Sequence, residues 1–393
     1  TAGSGVESLG AGNPIFDAVA NLPDTAGIRR AFDLLSGEIH ASAASTMVEQ
    51  SQYLRDAVIG RVRQSYAAVG PAAALAPEGK VMALAGTPPG AVSDATPGEA
   101  AARLFAQAPA APVAGDTVIA AWTQGIGAWG KRSGDGNAGT LSRSLGGFLI
   151  GVDATIEQTW RVGLAAGYTR ASFDVDSRAS SGNSDNYHVA LYGGGQLGAL
   201  GLRAGASFSW HDIATTRRVA FAGIGDRLKA DYGARTTQVF GEAGYAIALE
   251  RVAFEPFAGL AWVNYRSDRI DESGGAAALA GRRQAFDMGF STLGLRAAAT
   301  VTAPSDTTTV TLRGTLGWRH AFGDVTPEQR LAFRAGGSPF TVVGVPIARD
   351  SLIVEAGIDI DVTRYARFGI AYSGQFAGSA QDHAIKGSLT LRF

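Results

Sequence analysis

The sequence predicts an all-β membrane protein: a twelve-stranded antiparallel outer-membrane β-barrel with an N-terminal α-helix threading the pore. Three observations carry this. Strand-like segments alternate large aliphatics with charged or small residues, their connections are short and long in turn, and the chain ends on a strand with an aromatic tip. In that strand Ile385, Leu389, Leu391 and Phe393 share one face, and Lys386, Ser388, Thr390 and Arg392 share the other, because successive side chains of a strand point to opposite sides. A wall that is apolar outside and ionic inside suits a barrel with lipid around it and water within it.

Composition permits this and removes other classes. Of the 393 residues, 46% are hydrophobic, which excludes a disordered chain. The 53 glycines and 14 prolines are too unevenly placed for collagen or a simple linker. No apolar run approaches the roughly 18 residues of a membrane helix. The mean hydropathy of +0.07 is likewise too polar for a helical membrane protein, which leaves the barrel as the membrane option. A formal charge of −1 with scattered Lys and Arg offers no basic stripe, so no nucleic acid is expected as a partner. With 0 cysteines there is no disulfide framework and no thiolate metal site. Residues 1 to 20 lack a basic segment followed by an apolar one, so any export signal is expected on a longer precursor.

Along the chain, a helical pattern begins after Pro23 with Asp24 as N-cap and runs through Phe32, Leu35, Ile39, Met47, Leu54, Val58 and Val62. Gly70 and Pro71 stop it, so the helical segment is placed at 23–70. Its second half is polar on most faces, with Glu49, Gln50, Gln52, Arg55, Asp56, Arg61 and Arg63, and such a helix needs wet or polar surroundings. From Thr46 to Arg63 it would rise about 27 Å, close to the roughly 25 Å apolar band of a barrel. It is therefore expected to thread a polar lumen, the alternative being a solvent-exposed bundle helix. Residues 71–117, rich in Ala, Pro and Gly, read as a linker with one short helix at 99–107.

Twelve strands follow within 118–393, at 118–130, 142–157, 160–174, 184–197, 200–218, 232–249, 252–267, 284–302, 307–323, 350–362, 365–375 and 381–393. Short turns alternate with long loops at 131–141, 175–183, 219–231, 268–283, 324–349 and 376–380, the asymmetry of a barrel whose short turns and two ends face the periplasm. The polar faces collect Asp153, Arg161, Arg203, Glu242, Glu255, Arg296, Arg313, Glu355 and Asp359. These are the candidate lumen charges facing the pore helix, with simple solvation of the wall as the competing role. Unpaired charges would be prohibitive in a dry core, so the interior must hold water, a plug or both. A soluble twelve-strand sandwich would need the faces reversed. Trp122, Trp129, Trp160, Tyr168, Tyr187, Trp210, Tyr245, Trp262, Trp318, Tyr365, Tyr372 and Phe393 fall near strand ends and are expected to form the interfacial girdles.

Several segments, taken in order, resemble one family. They are LSGEIHAS at 35–42, GGFLIGVD at 146–153, GYTRASF at 167–173, DNYHVALYGG at 185–194, LKADYGARTTQVFGEAGY at 228–245, EPFAGLAWV at 255–263, TLGLR at 292–296 and the terminal aromatic. Together they resemble the translocator domain of monomeric autotransporters, the type V secretion proteins. The resemblance implies a monomer in the bacterial outer membrane that assists export of its own passenger polypeptide, with residues 1–22 as a passenger stub. It also implies outer-membrane lipid, periplasmic chaperones and the barrel-assembly machinery as partners. By similarity Ile385, Leu389, Leu391 and Phe393 form the C-terminal assembly signal, and the loop at 324–349 corresponds to a surface hairpin near the pore mouth. Relatives that cut their passenger inside the pore do so at paired asparagines, and no Asn pair occurs in the helical segment here.

The sequence offers no enzyme of its own and no cofactor. There is neither a Gly-x-Ser-x-Gly elbow nor a His-Glu-x-x-His pair. His40, His188, His211, His320 and His383 are scattered without metal-ligand spacing. Glu242 and Glu255 would form a paired-carboxylate site only if adjacent strands brought them close, arginines opposite them being the ordinary alternative. The reading from another class is a plugged porin-like channel.

Overall fold

The computed structural model describes residues 1–65, 118–157, 159–249, 252–302, 309–363 and 365–393. The expected linker at 71–117, its short helix at 99–107 and the last residues of the helical segment, 66–70, lie outside the described residues.

Among the described residues four helices open the chain: α1 (Ala2–Glu7), α2 (Pro14–Ala20), α3 (Thr25–Leu35) and α4 (Glu38–Ser65). Their starts follow from capping. Asn13 Oδ1 accepts from Ile15 N at 3.0 Å ahead of Pro14, and Asp24 Oδ1 accepts from Gly27 N at 2.6 Å. The single helix expected from Asp24 onward is instead two, because Gly37 adopts φ +67° and turns the chain between α3 and α4. At that bend an added Cβ would sit 2.5 Å from Leu279 Cδ1 and 2.8 Å from Leu331 Cδ1. Gly37→Val is therefore expected to destabilise the junction by about 1–3 kcal/mol from the backbone alone, read as faster proteolysis between α3 and α4 in the folded protein.

Seventeen strands follow among the described residues. Twelve form the barrel: β1 (Ile119–Arg132), β2 (Leu141–Ile156), β3 (Trp160–Val175), β4 (Ser180–Leu197), β5 (Leu200–Phe221), β6 (Ile224–Tyr245), β8 (Val252–Ser267), β11 (Gln284–Thr302), β12 (Thr309–Phe322), β15 (Asp350–Asp361), β16 (Ala366–Phe376) and β17 (Ala380–Arg392). β7 (Ile247–Leu249) continues β6 past a break and pairs with β8. Each barrel strand is antiparallel to its neighbours, and β1 pairs with β17 from Ala120↔Arg392 to Arg132↔Ala380, which closes the cylinder. The register follows the alternation. Leu164, Leu260 and Leu316 point outward while Asp153, Glu255 and Arg313 point in.

Outside the barrel, β9 (Ile270–Asp271), β10 (Leu279–Gly281), β13 (Glu328–Phe333) and β14 (Phe340–Val343) form a small second sheet. The loops expected at 268–283 and 324–349 thus hold strands. The loop expected at 219–231 is mostly the projecting tip of β5 and β6, whose register runs out to Phe221↔Ile224. Val6, Ile15, Leu34 and Leu35 of α1–α3 pack on Leu279, Leu331, Phe333 and Phe340 of that sheet and on Val219 and Leu228 of the β5–β6 tip. This capping layer sits over the long-loop end.

From Leu200 to Trp210 and from Val252 to Trp262, ten residues at about 3.4 Å each and a tilt near 40° give roughly 26 Å of height, the thickness of an apolar band. Trp160, Tyr245 and Phe393 mark the short-turn rim, and Trp129, Tyr187, Trp210, Trp262 and Trp318 the other, all exposed on the outer face. Trp122 is a correction. It is 6% exposed and points into the lumen. Trp122 and Trp129 are an odd number of residues apart, so they cannot share a face of one strand.

Candidate functional site

The site is the lumen and the helix inside it. α4 has 28 residues, about 42 Å of rise, and runs down the barrel from the capping layer toward the short-turn end. It leans on β2 through β6 and on β8. On that side Ile39, Met47, Leu54, Val58 and Val62 pack with Phe173, Tyr192, Ile213, Phe240 and Val263. The lumen expected to be wet or polar is therefore half dry, and the helix read as polar nearly all round has an apolar stripe.

The polar side of α4 is bonded to the wall at successive levels. At the top Glu38 accepts from Arg178 Nε at 2.8 Å and from Gly139 N at 2.9 Å. Two residues on, His40 Nε2 lies 2.8 Å from Glu272 Oε1. Arg217 donates twice to the same carboxylate, each at 2.7 Å, and once to Leu34 O at 2.8 Å. This group ties the α3–α4 junction to the loop between β9 and β10. Further down, Glu49 bridges Arg132 and Arg143, and Arg143 also pairs with Asp382. Gln52 accepts from Arg319. Arg55 donates to Gln238 Oε1, and Gln238 donates back to Ser51 O, both at 3.0 Å. Near the lower end Arg61 makes a bidentate pair with Asp153 at 2.6 and 2.8 Å. Tyr192 donates to the same carboxylate at 3.0 Å and accepts from Trp122 Nε1 at 2.7 Å.

The nine lumen charges predicted from sequence fall into three groups. Asp153 holds Arg61 of the helix, and Arg161 Nε lies 3.2 Å from Asp153 Oδ1. Arg203, Glu242, Glu255 and Arg296, on the adjacent strands β5, β6, β8 and β11, form a closed cluster with contacts of 2.6 to 3.1 Å. Arg313 bridges Glu355 at 2.7 Å and Asp359 at 2.9 Å, with Lys386 at 3.1 Å from Glu355. These last two groups pair along the wall. Arg63 of the helix shares a cavity of about 90 Å³ with Glu242, Arg296 and Glu355. Glu242 and Glu255 are brought together, but each is bracketed by both arginines, which is a structural arrangement and not an acid–base pair. Sequence reasoning did not single out Tyr192, Gln238, Arg132, Arg143 or Arg217, although strand alternation puts each on the inward face, nor Arg178, which sits in the turn between β3 and β4 where no alternation could place it.

Burial opposes charge on Glu272, but the pull of Arg217, followed by hydrogen bonds from Arg217 and His40, holds its carboxyl well below the usual range. With the folded value depressed, the stabilisation is complete above the ordinary carboxylate value of 4.5 and declines as pH falls below it. Glu272→Gln should reproduce the acid state at pH 7, with faster tryptic cleavage after the exposed Arg29 and Arg30 of α3. Unchanged cleavage would mean that this group does not hold the junction.

Among the described residues no helix is long and apolar enough to cross a membrane, and no cluster of His, Cys, Asp or Glu is placed to hold a metal. A concavity of about 980 Å³ opens on the outer apolar wall among Ile150, Leu164, Leu191, Phe208 and Leu389, away from the lumen charges.

Comparison with known proteins agrees with this architecture. The profile of the autotransporter beta-domain family matches residues 121–373. An extracellular serine protease of Serratia marcescens is 36% identical over 386 residues, which covers 98% of this chain and 33% of that protein. The chain thus spans about a third of the length of the curated relatives it matches. Among solved structures, the translocator domain of the autotransporter NalP from Neisseria meningitidis aligns with TM-score 0.56 at 14% identity, covering 75% of this chain and 93% of that one. The transport unit of AIDA-I from Escherichia coli aligns with TM-score 0.52 at 16% identity, covering 70% and 90%. At these identities the two structures speak to the fold alone.

Proposed function

The chain belongs to the autotransporter beta-domain family, an outer-membrane translocator barrel that mediates passenger export, and from that premise we propose that α4 is the segment left in the pore when export ends. The observation that supports this most directly is the ladder of charged and polar contacts from Glu38 to Arg61. It fixes a chain that starts on the long-loop side, passes down the lumen, and is followed by a first strand that begins at the short-turn rim. A passenger joined ahead of α1 would accordingly lie outside the cell. It would cross as a hairpin while the barrel is being completed, with α4 remaining behind as the plug.

The passenger is proposed to be a serine protease, as in the Serratia proteins named extracellular serine proteases; the barrel's own part is transport. The nine lumen charges are proposed to hold the lumen around the plug, Asp153 directly through Arg61, Arg161 by bracing Asp153, and the other seven by pairing along the wall. Ile385, Leu389, Leu391 and Phe393, all outward-facing, are proposed to be read by the assembly machinery, with chaperones escorting the unfolded chain. The sequence carries no nucleotide-binding motif, so the driving energy is assigned to passenger folding outside and to assembly. The spaces beside the helix, about 90, 70 and 40 Å³, favour a plugged translocator over a conducting porin.

The test is export itself. A reporter fused ahead of residue 1 and expressed from a full precursor should be removed from intact cells by added protease, while residues 38–65 survive with the barrel. A reporter trapped in the periplasm, or digestion of α4 from outside, would refute the proposal.

A further inference from the structure

On the outer face of the β5–β6–β8 wall, cations stand opposite cations. Arg235 is the direct cross-strand partner of Arg266, and Arg218 of Arg227. Lys229 lies between these two pairs on the same face of β6, and all five side chains are exposed. Among the described residues none of the five has an ion-pair partner, although other arginines near this rim do, such as Arg283 with Asp268 and Arg170 with Asp185. The carboxylates sharing this face, Asp212, Asp231 and Asp268, make no ion pair with them, Asp268 being paired with Arg283. Like charges directly opposite on a ladder destabilise the sheet, so the arrangement calls for an anion from outside the chain.

Its position identifies the anion. Arg235 lies in one cross-strand row with Tyr187 and Trp210, and Arg266 is four residues beyond Trp262 on β8. The Arg235–Arg266 pair is therefore at the level of the lipid headgroups, where aromatic girdles lie. Paired guanidinium forks match the oxygens of a phosphate. Directly below, Phe208, its cross-strand partner Thr237, Val189 and Leu191 line one end of the 980 Å³ apolar hollow.

We propose that this face binds a phosphorylated lipid of the outer leaflet, with its phosphates on Arg235 and Arg266 and its acyl chains in the hollow. An unneutralised guanidinium pair on β6 and β8, with an apolar hollow that begins one row below it at Phe208 and Thr237 and spreads from there across β5 toward β1, fits a ligand that is anionic at one end and aliphatic at the other. A soluble anion would leave the hollow without a role.

The test uses the full chain in detergent and native mass spectrometry. The probes are a bisphosphorylated, acylated glucosamine disaccharide, its phosphate-free counterpart with the same acyl chains, and inorganic phosphate. The phosphorylated lipid should bind about tenfold or more tighter than the phosphate-free one, and the double variant Arg235→Gln/Arg266→Gln should lose about that factor while keeping the heat-dependent gel shift of a folded barrel. Arg170→Gln, on another part of the rim, should leave binding unchanged. Should the double variant not fold, Arg266→Gln alone should weaken binding about threefold. Equal affinity for both lipids, variants that bind like the parent, or displacement by equimolar inorganic phosphate would each overturn the assignment.

Discussion

Removal of residues 1–65 is expected to convert a nearly closed barrel into an open one, with single-channel conductance in a planar bilayer rising about tenfold or more. The magnitude follows from what α4 occupies. A helix with its side chains is about 10 Å across, and cavities beside it of about 90, 70 and 40 Å³ have room for roughly one to three waters each at about 30 Å³ per molecule. Ions crossing such a lumen would have to shed their hydration beside fixed charges. Without the helix, Asp153, Glu49's partners Arg132 and Arg143, and Arg319 would line a continuous wet channel. The wall should survive, because the β1–β17 closure is made by backbone pairing that does not involve α4. Retention of the heat-dependent gel shift checks that the shortened chain is folded. A full chain that conducts as freely as the shortened one would contradict the plug and favour the porin reading.

The number of barrel strands and the inward or outward sense of most wall residues were legible because alternation is local. Period-two alternation needs only neighbours in sequence, so Leu312 and Leu316 against Arg313 and Thr315 could be sorted without a fold. Trp122 was misplaced where nearness to a strand end was preferred to alternation. What was not legible is non-local. The bend has a local signal in Gly37, which takes φ +67°, but the contacts that leave no room for a side chain there come from Leu279 and Leu331, more than two hundred residues away. The apolar stripe of α4 was hidden by small residues such as Ala43, Ala44 and Ala57, which are buried against the wall but contribute little to a hydrophobic count. Helix–wall partners were beyond reach for the same reason. Arg61 and Asp153 were each visible as charges, yet which of several wall carboxylates meets Arg61 depends on how the helix is rotated in the lumen.

Glu49 provides the second large expected effect, because it is the meeting point of two wall arginines. Its side chain and those of Arg132 and Arg143 are all under 10% exposed. Glu49→Ala leaves Arg143 with Asp382 but leaves Arg132 with a carbonyl, Pro346 O at 2.9 Å, as its remaining acceptor. An uncompensated buried charge of this kind costs about 3–5 kcal/mol, which should appear as a lower midpoint for loss of the folded gel form on heating. The rim pair Arg170 and Asp185, where the arginine side chain is 57% exposed, should cost about 0–1 kcal/mol when broken and serves as the comparison. The stronger test is the double variant Glu49→Ala/Arg132→Met. If the penalty comes from stranding a charge and not from losing an attraction, removing the stranded partner should recover most of the stability, since an apolar replacement of a whole buried pair is often close to neutral. Conductance separates the two roles of the pair. The single variant should flicker open as α4 loses its hold at mid-lumen. The double variant should regain stability yet still flicker, because the bond between helix and wall is absent in both.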